Sequence, residues 1–179
     1  MHEDVEKILV SEEEIKEICK RLGEEISRDY ADKKLLLVSV LKGAVVFMAD
    51  IMRNITCECE IDFMAVSSYS NSKTTGVVKF KKDLDIDPDG RDILIIEDIL
   101  DSGITLSYLK NVLLQRNAAS IKICAFLDKP ANRQADITAD YVGKVVPDEF
   151  VVGYGLDYNE KYRNLPYVGA LSPKVYADK

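Results

Sequence analysis

The chain has 179 residues, with 24 Lys and Arg against 31 Asp and Glu, for a net charge of −7. At 47% hydrophobic and 31% charged, it has the balance of a globular protein with a sizeable core, expected to form one domain over 1–179. The negative balance excludes the broad positive surface that non-specific nucleic-acid binding needs. No apolar run is long enough to cross a bilayer, and the acidic start Met1-His2-Glu3-Asp4 lacks a secretory apolar stretch, so a cytoplasmic location is expected.

Ser11-Glu12-Glu13-Glu14 is a capping box, with Ser11 as N-cap and Glu14 three residues on. The helix it opens buries Ile15, Ile18, Cys19, Leu22 and Ile26 at helical spacing. Leu35 to Val40 is a continuous apolar run, the pattern of a strand covered on both faces. A Leu41-Lys42-Gly43-Ala44 turn separates it from a helix over Ala44 to Met52. Glu60 to Tyr69 reads as a strand, the polar run Ser67 to Gly76 as a loop, and Val77 to Asp83 as a return strand exposed on one face. After the turn Asp87-Pro88-Asp89-Gly90 come a buried strand over Ile93 to Ile96, a helix over Thr105 to Gln115 and a strand over Ser120 to Leu127. Tyr141 to Val145 and Phe150 to Tyr154 read as shorter strands. Strands alternating with helices give an α/β fold with a parallel central sheet, and the Ile61–Lys82 hairpin as an appendage.

Composition limits the available chemistry. The single histidine, His2, sits where a terminus is expected to fray, which sets aside imidazole catalysis and a histidine zinc site. A metal would then take oxygen ligands, which favours magnesium. Cys19, Cys57, Cys59 and Cys124 form no zinc spacing and are expected to be reduced thiols, with Cys57 and Cys59 on one strand face.

The sharpest feature is Ile95-Ile96-Glu97-Asp98-Ile99-Leu100-Asp101-Ser102-Gly103-Ile104-Thr105. In open α/β sheets, ligands bind outside the carboxyl ends of the strands. Ser102, Gly103 and Thr105 supply hydroxyls and unhindered amides at a helix N-terminus, where a phosphate is favoured. Adjacent carboxylates would repel that phosphate unless they hydrogen-bond ribose hydroxyls or help bind hydrated magnesium, and the sequence leaves both roles open to Glu97 and Asp98. Asp101 stands between them and the cradle, placed as a proton acceptor. No Walker-type phosphate loop is present.

This segment resembles the phosphoribosyl-pyrophosphate motif of type I phosphoribosyltransferases. With Leu41-Lys42-Gly43, Ser68-Tyr69, Asp128-Lys129 and the run Pro147 to Glu160, the chain resembles the hypoxanthine-guanine phosphoribosyltransferase family over nearly its whole length. That resemblance implies a type I phosphoribosyltransferase fold, with a small hood from the N- and C-terminal segments and a long flexible hairpin loop. It implies purine salvage: transfer of ribose 5-phosphate from phosphoribosyl pyrophosphate to hypoxanthine or guanine, giving IMP or GMP and pyrophosphate.

The roles it implies are as follows. Asp101 is the base near purine N7, with Ser102 to Thr105 (Ile104 filling the variable place) around the 5′-phosphate. Lys42, Gly43 and Arg163 serve pyrophosphate, and the Leu41–Lys42 peptide is one that can be cis. Ser68 and Tyr69 head a lid. Lys129 donates to the 6-oxo group, Phe150 stacks on the purine and the Val151 backbone reads its edge. Asp157 joins Glu97 and Asp98 around magnesium. A homodimer or homotetramer is implied. A xanthine-preferring enzyme and a nucleotide-sensing regulator on the same fold are the alternatives; a regulator would carry a basic face or a DNA-binding domain, which this sequence lacks.

Overall fold

The computed structural model describes residues 1–68 and 78–177; Tyr69 and the polar run to Gly76 lie outside them. In chain order the elements are β1 (Val5–Val10), α1 (Glu12–Asp29), β2 (Leu35–Leu41), α2 (Val45–Asn54), β3 (Cys59–Ser68), β4 (Val78–Lys82), β5 (Asp92–Leu100), α3 (Ile104–Gln115), β6 (Ser120–Asp128), β7 (Tyr141–Val145), β8 (Val151–Val152) and β9 (Val168–Leu171). Short 3₁₀ turns stand at Pro130–Asn132 and Pro173–Val175.

Six strands form the main sheet in the order β4-β3-β2-β5-β6-β7. All neighbours are parallel except β3–β4. Alternate residues of β2 feed opposite faces, which is why the strand is apolar throughout. Leu35 and Leu37 pack into a core with α1 and α2, while Leu36 and Val38 join Leu106, Leu109 and Leu113 of α3. Each is buried, so truncating one, as in Leu37→Ala, costs about 2–5 kcal/mol. Ser11 caps α1 as expected, its hydroxyl accepting from Glu14 N at 3.2 Å.

The chain leaves β2 toward β3 on one side, whereas β5 leads to β6 on the other. The gap between β2 and β5 is therefore the topological switch point, where ligands of open α/β sheets bind. Their register ends at Ser39↔Ile96, while β5 continues beside β6 to Leu100↔Asp128. Glu97 and Asp98 thus begin where β5 loses one neighbour. A second sheet, β1-β9-β8, joins the two ends of the chain, with Val5 opposite Leu171 and Val151 opposite Ala170. This is the hood implied by the resemblance.

Several expectations are corrected. β3 is an integral parallel strand, so the appendage reduces to β4 at the sheet edge. Cys57 precedes β3, which begins at Cys59, so the two thiols do not share one strand face. The acidic pair lies inside β5, not beyond it, because pairing with β6 extends the strand to Leu100. Phe150 precedes β8, and Gly153 to Gly155 leave the strand at φ +99, +51 and +99. His2 does not fray: its amide donates to Tyr167 Oη at 2.7 Å and its ring meets Tyr162 edge-on.

Candidate active site

Two turns flank the switch point. On the β2 side, Leu41–Lys42 is a cis peptide, followed by Gly43. A Cβ on Gly43 would lie 1.8 Å from Asp98 Oδ2, so a side chain here would displace either this turn or the buried carboxylate. Gly155 in turn packs on the Gly43 carbonyl. These two glycines draw three sequence-distant segments to one place.

On the β5 side, Gly103 is left-handed at φ +76 and caps α3. Glu97, Asp101, Ser102, Gly103 and Thr105 line one cavity of about 180 Å³. Ile104 is exposed beside it. A roomier cavity of about 540 Å³ lies between α1, α2 and residues 163–166, but shares only Arg163 with the expected site residues. The smaller one, lined by five of the expected site residues, is the better candidate.

Burial, reinforced by the charge of Asp98, holds the Glu97 carboxyl well above the usual carboxylate range. Burial also pushes Asp98 up to about 6, although the Ile99 amide and the Arg163 charge oppose this and Asp157 adds to it. Among the described residues, Glu97 Oε2, Asp101 Oδ1 and Arg163 Nε are buried without a hydrogen-bond partner. Such orphaned atoms cost stability and mark a place where a ligand completes the bonding.

The side expected to meet pyrophosphate is closed on itself. Lys42 Nζ and Arg163 Nη2 both reach Glu160 Oε2 at 3.2 Å. Arg163 also pairs with Asp157 Oδ1 at 2.9 Å and donates to the Gly155 carbonyl at 2.7 Å. Glu97, Asp98 and Asp157 do not come together as a cage: among the described residues no group of three or more metal-ligating side chains is close enough to hold an ion. The orphaned Glu97 oxygen and the raised carboxyls still suit magnesium, which takes one or two carboxylates and completes its shell with water and substrate phosphate.

On the side expected to read the base, Lys129 is 7% exposed, and its ammonium donates to the Glu149 carbonyl at 2.9 Å and pairs with Asp148 at 3.1 Å. Its backbone amide donates to the Leu100 carbonyl at 3.0 Å, beside Asp101. Phe150 is 41% exposed, edge-on to Tyr158 and tilted against Tyr176. Val151 is buried within the hood. Ser68 ends β3, and Tyr69 falls outside the described residues.

The phosphoribosyl transferase domain model matches residues 7–159 of the chain. The chain belongs to this family. Hypoxanthine-guanine phosphoribosyltransferase of Bacillus subtilis is 59% identical over 177 residues, which cover 98% of each chain. A solved hypoxanthine phosphoribosyltransferase from Staphylococcus aureus superposes with a TM-score of 0.94 at 50% identity, covering 98% of this chain and 96% of that one. The bifunctional protein TilS/HprT of Listeria innocua is 54% identical over 179 residues, 99% of this chain but 28% of that protein. These likenesses place the chain with the hypoxanthine-guanine branch of the phosphoribosyltransferases.

Two residues escaped the sequence reading of this phosphoribosyltransferase. Glu160 was visible in the run to Glu160, but its pairing with Lys42 spans most of the chain. Arg133 follows an unremarkable Lys-Pro-Ala-Asn turn, and nothing local signals that it reaches back to residues 100 and 101.

Proposed function

We propose that the protein transfers ribose 5-phosphate from phosphoribosyl pyrophosphate to N9 of hypoxanthine or guanine, giving IMP or GMP and releasing pyrophosphate. Membership of the hypoxanthine-guanine branch supports this reading. The observation that carries it is the hydrogen bond from Lys129 N to Leu100 O, which sets Lys129, in our reading the donor to the 6-oxo group, beside the Asp101 loop.

With an oxocarbenium-like transition state, the protein must bring base and ribose into line and stabilise the departing charge. Asp101 offers its unpartnered Oδ1 to the proton at purine N7, which makes N9 the better nucleophile. Among the described residues, two of the three Lys129 N–H groups are engaged, leaving one for the 6-oxo acceptor. Adenine presents an amino donor there and is disfavoured. Phe150 supplies an aromatic face for the base. Lys42 and Arg163 exchange Glu160 for pyrophosphate oxygens of like charge. Glu97 and Asp98 would hold magnesium together with water and phosphate oxygens, joined by Asp157 once Arg163 releases it, and the ion would supply positive charge against the leaving pyrophosphate.

The test is to mix the protein with magnesium, phosphoribosyl pyrophosphate and hypoxanthine, and to follow IMP formation. Guanine and xanthine in parallel rank the acceptors. Turnover with none of the three overturns the reading. Chain 1–179 acts as one domain in this proposal and assembles as a homodimer or homotetramer, which sedimentation measures. A cytoplasmic location fits four free cysteines and the absence, among the described residues, of a helix long and apolar enough to cross a membrane.

A further inference from the structure

We propose that Arg133 is a positioning residue that fixes the peptide planes of the Leu100–Gly103 loop and holds that loop in register with the base-reading Lys129. The inference rests on the phosphoribosyl-transfer reading above and adds a residue to its machinery.

Arg133 leaves the 3₁₀ turn after Lys129, and its side chain is 16% exposed. Its Nε donates to the Asp101 carbonyl at 2.8 Å, Nη2 to the Leu100 carbonyl at 3.2 Å and Nη1 to the Ile137 carbonyl at 2.6 Å. Nη2 also pairs with Asp128, the last residue of β6. A guanidinium presents its donors in one rigid plane, so these bonds are set together or not at all. The next two residues continue the grip: Gln134 N and Ala135 N donate to the Ser102 carbonyl at 2.9 and 3.1 Å. Three consecutive carbonyls, of Leu100, Asp101 and Ser102, are therefore held by the segment 129–135.

The consequence follows from the planar trans peptide, in which a carbonyl and the next residue's N–H point in opposite directions. With those carbonyls turned toward Arg133 and its neighbours, the amides of Asp101, Ser102 and Gly103 point away from them. Successive amides aimed one way make an anion-binding concavity. Gly103 lies close against the same segment: a Cβ on it would be 2.5 Å from Ile137 Cγ2 and 3.1 Å from Arg133 Cδ. Arg133 touches no reacting atom in this scheme. It acts through the peptide planes around Asp101 and, through Asp128, on the neighbour of Lys129.

Arg133→Lys keeps a cation against Asp128 and loses the planar fork; Arg133→Ala loses both. In steady-state assays with hypoxanthine, corrected for the folded fraction, both variants are expected to raise KM for phosphoribosyl pyrophosphate and to lower kcat. The combined loss in kcat/KM is expected to be about 10–100-fold. Added guanidinium ion should restore part of the Arg133→Ala loss. If Arg133→Ala does not fold, Arg133→Lys carries the test alone. Wild-type KM and kcat in Arg133→Lys overturn the inference, as does guanidinium that restores the melting temperature of Arg133→Ala but not its KM. A wild-type protein that turns over no oxopurine overturns the functional reading instead, so the two failures are distinguishable.

Discussion

The two sides of the switch point are prepared differently. Around Ser102 and Gly103, loop carbonyls are gripped by the 129–135 segment, α3 begins at once, and Asp101 keeps a buried oxygen unpartnered. That side is built open. Around Lys42, Asp157 and Arg163 the charges satisfy one another, with Glu160 taking both cations. A ribose phosphate would meet a formed cradle, whereas pyrophosphate must displace ion pairs before it gains any. On the proposed assignment, the difference teaches that pre-organisation belongs to the part of the ligand retained in the product, and exchangeable pairing to the part that leaves.

The largest test of this contrast is Asp101→Ala, which should keep nucleotide binding while turnover falls about 10²–10⁴-fold; unchanged turnover in initial-rate assays would remove Asp101 from its role. Next is Gly43→Ala, whose Cβ would collide with Asp98 Oδ2. Displacing that turn by about 1 Å should lower kcat/KM on the order of 10²-fold, read with phosphoribosyl pyrophosphate as the varied substrate.

A third test uses pH. Because burial raises Asp98 to about 6, above its ordinary 3.8, the folded protein favours its neutral form. The stabilisation is complete below the ordinary value and is lost as pH rises through about 6. In metal-free protein, Asp98→Asn should therefore raise Tm at neutral pH by about 6–12 °C relative to wild type, and most of the gain should be gone at about pH 4. Equal differences at both pH values, by scanning calorimetry in chelator, would break the link.

The smallest effect is at Glu160, an exposed partner of both pyrophosphate-side cations. Glu160→Gln should lower KM for phosphoribosyl pyrophosphate about two- to five-fold, since exposed pairs are weak. A raised KM would mean that Glu160 assists binding and does not compete with it.

What the sequence made legible follows the distance over which each interaction acts. The Glu97–Thr105 segment was readable because its acidic pair, Asp101 and the hydroxyl-and-glycine turn are contiguous, β2 because it is one continuous apolar run, and α1 and α3 because their burial is periodic. Of the hood strands only β8 was, within the strand read over Phe150 to Tyr154: β1 is interrupted by the adjacent Glu6 and Lys7, β9 contains Gly169, and these two pair with each other across about 160 residues. The three-carboxylate metal arrangement was expected from motif positions, but Arg163 already occupies Asp157. Cations and carboxylates that pair across loops leave no periodic trace.

The hood also sets an order of synthesis. β1 is made first, yet its partner β9 lies at Val168–Leu171, and β8 depends on that same strand. Chains grow from the N-terminus and fold as segments become available. The main sheet and its phosphate loop have all their strands by Val145, while the base side lacks its framework until residue 171 has left the ribosome. A ribosome stalled between these two points would carry a nascent chain with the strands of the main sheet but without the hood sheet, so on the proposed reading it would hold the sugar-phosphate side before the purine side.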